Sequence, residues 1–204
     1  FCGCTTIALL LGHRISIHLH FFSQQSFDPP LLYKQIPYLL DAEIRDQSKD
    51  TLTCLVNKQG PVKISFFGGL PFNYIEEPEL IEGIDVQIAS LLDLAGMKAS
   101  VLQMRAAARD YIDIDALMTK ANISLEAMLA AGQLLYGNSF NAQITLKALT
   151  YYTDGDLFEV TMDVRERLTQ AAKDLNTDEL SSLITLFAEK RREKDVQNSH
   201  HRGN

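Results

Sequence analysis

The spacing of apolar residues changes period part-way along the chain, and that change restricts the fold more than any other feature. Within 15–22, Ile15, Ile17, Leu19 and Phe21 fall on one parity and Ser16, His18, His20 and Phe22 on the other. That is the period of a half-buried strand. Beyond Val86 the apolar residues recur every three and four positions, the period of helices buried along one stripe. The order predicts an α+β first part, 1–85, a helical second part, 86–190, and a polar tail, 191–204.

Local signals predict the elements. An apolar helix over 4–11 follows Gly3 and closes at Gly12, where a positive φ suits glycine. Asp28-Pro29-Pro30 reads as a helix start, with the helix running to about residue 42. Strands over 50–56 and 62–67 flank Asn57-Lys58-Gln59-Gly60, a hairpin signal. Gly68, Gly69 and Pro71 end the strand region. Helices are expected over 89–108, 110–120, 124–135 and 141–149, with two more inside 162–190. The last stretch, 190–204, shows no apolar face and is expected to fray.

Composition narrows the function classes. At 46% hydrophobic and 22% charged residues, the 204-residue chain has enough apolar content to build a core. Its 26 acidic against 19 basic residues, net −7, exclude a broadly basic nucleic-acid coat but not a local stripe. No apolar run approaches the roughly 18 residues of a membrane span, so no membrane partner is expected. Cys2, Cys4 and Cys54 cannot all pair, which suits a reducing cytoplasm. The chain opens with Phe1 as though inside an element, so an upstream segment is expected to be missing.

Two segments carry candidate chemistry. In the first, the Gly3 turn opens a helix, and His18 and His20 share one strand face. A helix N-terminus led by glycine can receive a phosphate. Carboxylates at such i and i+2 positions could hold Mg²⁺ against it. In the second, Lys98, Arg105 and Arg109 would lie within roughly 40° of each other on one continuous helix, a basic stripe suited to a triphosphate. The simpler alternative is that the stripe pairs with Asp110 and Asp113 and locks two helices.

Gly3-Cys4-Thr5-Thr6, Leu11-Gly12-His13-Arg14 and His18-Leu19-His20-Phe21-Phe22 occur in an order that resembles the AbiEii/AbiGii toxin family of nucleotidyltransferase-fold proteins. So do Val62-Lys63-Ile64-Ser65-Phe66-Phe67, Asp93 to Lys98, Arg109-Asp110-Tyr111-Ile112-Asp113-Ile114 and Leu146 to Asp156. The resemblance covers about 1–175. It implies a nucleotidyltransferase-like mixed sheet with flanking helices, followed by helices. It also implies Mg²⁺ with a nucleoside triphosphate, an RNA or protein hydroxyl as acceptor, and an antitoxin partner. Carried over, Gly3, Cys4, Thr5, Ser65, Arg105 and Arg109 would bind nucleotide. Lys98 would neutralise the leaving pyrophosphate, and Asp110 and Asp113 would complete the later motif.

The family's metal-binding Asp-x-Asp pair is His18 and His20 here, its second turn glycine is Cys4, and the neighbouring strand offers the neutral Ser65. Imidazole is a poor ligand for Mg²⁺. The expected outcome is impaired nucleotide transfer. One alternative is a catalytically silent relative that acts by binding, with no cofactor. Another is a transition-metal site at Cys4, His18 and His20, with Cys2, His13 or water completing it. His13 and Arg14 read otherwise as helix-end caps, Cys54 as a core residue, and His200 and His201 as solvated.

Overall fold

The computed structural model describes residues 4–57, 60–70, 73–80 and 86–201, with side chains from Thr5 to Lys194. Gly3, Cys2, the Cys4 side chain, the Lys58-Gln59 tip, Pro71, and the side chains of His200 and His201 lie outside it. The chain forms two compact units, Phe1–Phe72 with Glu79–Ile88, and Asn73–Pro78 with Ala89–Asn204.

The first unit is a mixed four-stranded sheet with helices. Its elements are α1 (Cys4–Leu11), β1 (His18–Phe22), α2 (Pro29–Gln35), β2 (Glu43–Ser48), β3 (Thr51–Asn57) and β4 (Pro61–Phe67). A two-residue ladder joins β5 (Glu79–Leu80) to β6 (Gln87–Ile88). The sheet order is β1-β4-β3-β2, parallel between β1 and β4 and antiparallel elsewhere. One face is apolar. Leu52, Cys54, Val56 and Ile64 are buried there with Leu39 and Ala42, and Leu19, Phe21 and Phe66 pack against them. Cys54 is thus a small core residue, as its strand position suggested.

The expected β3–β4 hairpin forms, with Asn57 opposite Pro61. The helix at 4–11 also forms and ends at Gly12, whose φ is +57°. Two expectations in this unit change, and one strand is unforeseen. The strand expected from Ile15 begins only at His18, because Ile15 and Ile17 are 90% and 51% exposed and have no face to bury. The helix expected to reach about residue 42 stops at Gln35. Proline disfavours a helical residue before it, so Ile36 turns extended ahead of a short 3₁₀ turn at Pro37–Leu39. Strand β2 was not legible at all: every residue of it is exposed, so it has no apolar alternation to read.

The second unit is helical among its described residues. It comprises α3 (Leu91–Val101), α4 (Ala108–Lys120), α5 (Leu125–Tyr136), α6 (Ala142–Ala148), α7 (Met162–Lys173) and α8 (Thr177–His201). Ser90, Ser124 and Asn141 cap three of these helices, each accepting a backbone N–H from the first turn. Helices α3 and α5 approach closely at Gly96, where a Cβ would meet Ala131 and Gly132 backbone at 2.8 Å. Ile75, Ala130, Ala131, Leu135 and Phe187 form a core where α5 meets α8.

The single helix expected over 89–108 is instead broken after Val101, and Ala107 is extended before α4. No proline or glycine lies in 101–107; contacts distant in sequence hold the break. Gln103 donates to Thr145 Oγ1 at 3.0 Å and accepts from Asn141 N at 3.2 Å. Met104, in the broken stretch, is 79% exposed. Where a polar tail was expected after residue 190, α8 continues to His201. Arg191 ties it down by donating to Leu134 O and Asn73 Oδ1, and Lys194 by donating to Ile75 O.

Candidate functional site

In the first unit the strand register sets the polar face. His18 pairs with Lys63, His20 with Ser65 and Phe22 with Phe67, and partners in register share a face. The imidazole centroids of His18 and His20 are 6.5 Å apart, and both rings are half-buried. His20 also lies 6.3 Å from the Phe22 ring and 6.1 Å from the Phe67 ring. Ser65 is buried and shares a 2.9 Å hydrogen bond with the Thr53 hydroxyl. Thr5, in the first turn of α1, is buried with its hydroxyl 2.9 Å from Ser16 Oγ. The hydroxyls expected to meet a nucleotide are thus committed to neighbouring hydroxyls.

The residues here do not fit the Mg²⁺ that the resemblance implies. Mg²⁺ requires hard oxygen ligands in near-octahedral array, and this face offers two imidazoles and one hydrogen-bonded hydroxyl. Following the register across the sheet, His20, Ser65, Thr53 and Asp46 form one row. Asp46 is therefore three strand spacings from His20, about 14 Å. Among the described residues no group of three or more His, Cys, Asp or Glu side chains is placed to hold a metal ion.

In the second unit Lys98, Asp110 and Asp113 come together. Lys98 Nζ lies 2.5 Å from Asp110 Oδ1 and 2.7 Å from Asp113 Oδ2, and all three side chains are closed to water. Arg105 reaches Asp110 from the loop after α3, with Nε 2.8 Å from Oδ2. Burial raises the Asp110 carboxyl. The Arg105 hydrogen bond and the Lys98 charge outweigh that and hold it below the ordinary carboxylate value. Arg109 is exposed on α4. The basic stripe of Lys98, Arg105 and Arg109 does not exist, because the break after Val101 puts these residues on three separate segments. The helix-locking alternative is what forms.

Three residues that support this cluster were not singled out from the sequence. Asp93 accepts from Ile75 N, Glu76 N and Ser90 Oγ, clamping the 73–78 segment to the start of α3. Its signal was a Ser90-to-Asp93 capping spacing. Asp156 Oδ1 accepts from Ala108 N at 2.6 Å and so caps α4 from a distant loop. Arg167 on α7 makes a two-pronged pair with Asp115, at 2.7 and 2.8 Å. Their separations of 48 and 52 residues left no local pattern to find. The Tyr151 to Asp156 segment is also held by Tyr152, whose hydroxyl donates to Leu149 O and whose ring lies under Arg165.

The mixed sheet entered by a short apolar helix and followed by helices agrees with the α+β architecture that the resemblance implied. Residues 1–199 match the family described as nucleotidyl transferase AbiEii toxin, Type IV TA system, and the chain belongs to that family. It is similar to protein aq_aa25 of Aquifex aeolicus (strain VF5), itself described as uncharacterized. The two are 31% identical over 154 residues, which is 74% of this chain and 72% of the relative. No solved structure matches the chain. No helix among the described residues is long and apolar enough to cross a membrane.

Proposed function

We propose that this chain is a nucleotidyl transferase toxin relative whose transfer of a nucleotide from a nucleoside triphosphate to an RNA or protein hydroxyl is impaired. The observation that carries the reading is the pair His18 and His20 on one face of β1, beside a Ser65 hydroxyl already bonded to Thr53. Phosphoryl transfer depends on positioning and on spreading negative charge. Two imidazoles supply neither the negative charge nor the ligand type that magnesium needs. Lys98 is held by two carboxylates, so in this reading it serves to join α3 to α4. An antitoxin partner and a cytoplasmic setting belong to the same reading.

Calorimetric titration with each nucleoside triphosphate and Mg²⁺ tests it. The native chain is expected to bind none, and His18→Asp with His20→Asp and Cys4→Gly to gain Mg²⁺-dependent binding. Nucleotide transfer by the native chain at the rate of the restored variant overturns the reading. A silent binding protein is the second reading, favoured by the intact ion cluster of Lys98, Asp110 and Asp113. It predicts that the restored variant also ignores nucleotide.

A further inference from the structure

Strand β2 stands at one end of the four-stranded sheet, and among the described residues no strand pairs with its outer edge. All six of its residues, Glu43 to Ser48, are exposed. An edge strand offers a row of backbone N–H and C=O groups on which another chain can extend the sheet. Leu40 and Ile44 add apolar surface beside it, at 51% and 42% exposed. We infer that β2 is a self-association surface, on which a second copy of this chain docks its own β2, antiparallel across a two-fold axis.

The register carries the inference. A two-fold axis perpendicular to the sheet keeps each face on its own side, so residues opposite one another must point to the same face. Full overlap of two six-residue strands pairs the first residue with the sixth. In a regular strand those two point to opposite faces, and the dimer would set every side chain against the wrong face. Strand β2 is not regular. Its pairing with β3 shifts between Ile44 and Asp46, which leaves Arg45 as the extra residue of a bulge. Ile44 and Gln47 stand opposite Cys54 and Leu52, on the apolar face of the sheet. Glu43, Asp46 and Ser48 stand opposite Leu55, Thr53 and Thr51, on the other face. Full overlap then pairs Glu43 with Ser48 of the second copy, Ile44 with Gln47 and Arg45 with Asp46. The bulge brings Glu43 onto the face of Ser48 and Ile44 onto the face of Gln47.

The charges fit the same register. The two-fold axis repeats each pair, so Arg45 meets Asp46 twice. Arg45 lies 2.8 Å from Glu43 of its own strand, which draws it toward the face that Asp46 shares. Asp46 has no ion-pair partner among the described residues. Bulges and charges commonly keep sheet edges apart. Opposite charges set across from each other attract instead, and like charges repel. So short an edge supports a weak, reversible dimer.

Sedimentation equilibrium of the full chain across the micromolar range is expected to show the mass rising from one chain toward two. Arg45→Asp and Asp46→Arg each turn both opposite-charge pairs into like-charge pairs. Each is expected to weaken association about tenfold or more, with an unchanged circular dichroism spectrum. An equimolar mixture of the two variants places opposite charges across the axis again, and is expected to associate as the native chain does. Hydrogen exchange of the native chain needs no substitution, and is expected to slow within 43–48 as concentration rises.

A native chain that stays monomeric overturns the proposal. So does association that survives both single reversals, or a mixture that associates no better than its components. Concentration-dependent protection outside 43–48 but not within it places the contact elsewhere and overturns it too.

Discussion

Lys98 and Asp110 join α3 to α4 through a 2.5 Å contact between two side chains that are both closed to water. Asp113 sits on the other side of the ammonium at 2.7 Å. Removing one member of such a group leaves uncompensated charge in the interior, at a cost of about 3–5 kcal/mol. Lys98→Met is expected to destabilise by that amount in urea unfolding. Adding Asp113→Leu to it is expected to recover part of the loss.

The same cluster sets a pH dependence. The folded Asp110 carboxyl lies below its ordinary value. Its contribution is therefore complete above the unfolded value of about 3.9 and is lost as pH falls through the lower folded value. Asp93 runs the other way. Burial raises it despite hydrogen bonds from Ser90, Ile75 and Glu76, so its contribution falls as pH rises from the unfolded value through the folded one. Unfolding free energies measured across acidic pH are expected to decline less on acidification in Asp110→Asn than in the parent. The opposite change is expected in Asp93→Asn.

Asp156 serves α4 as a cap that the N-cap position lacks, since Ala107 has no polar side-chain atom to offer. Asp156→Ala is expected to cost about 1 kcal/mol, read as a lower melting temperature. Its neighbour Gly155 is more demanding. Its φ is +57°, and a Cβ there would stand 2.3 Å from Ala106 O. Gly155→Ala is expected to cost about 2 kcal/mol or more, from the left-handed backbone and the clash together.

Gly96 lets α3 lie against the backbone of α5. Alanine would improve helix propensity by up to about 1 kcal/mol. It would also force two helix backbones apart, because the 2.8 Å neighbours are the Ala131 carbonyl carbon and Cβ and the Gly132 nitrogen, none of which can swing aside. Gly96→Ala is expected to lower the urea midpoint, a net loss despite the better propensity.

Arg191 binds Leu134 O and Asn73 Oδ1, at 3.1 and 2.7 Å. Arg191→Ala is expected to raise hydrogen exchange in 73–76 and in the last turn of α5. Exchange in β3 and β4, which lie in the other unit, is expected to stay unchanged. A rise in both units would contradict this assignment.

Period and turn chemistry determined much of the chain. Helix α1, the β3–β4 hairpin and the positions of α4 to α7 follow from local apolar spacing, capping residues and glycine, all of which act over a few residues. The family motifs were equally legible, because they are strings of neighbouring residues. Tertiary structure decided the rest. Strand β2 is paired by backbone alone and has no buried face, so its side chains carry no signal. The break after Val101 is held by Gln103 reaching Thr145 and Asn141, partners about 40 residues away. That break turned an apparent basic stripe into a buried ion cluster. A side chain's charge is written in the sequence, but whether it meets a ligand or an opposing carboxylate depends on which distant segment folds against it.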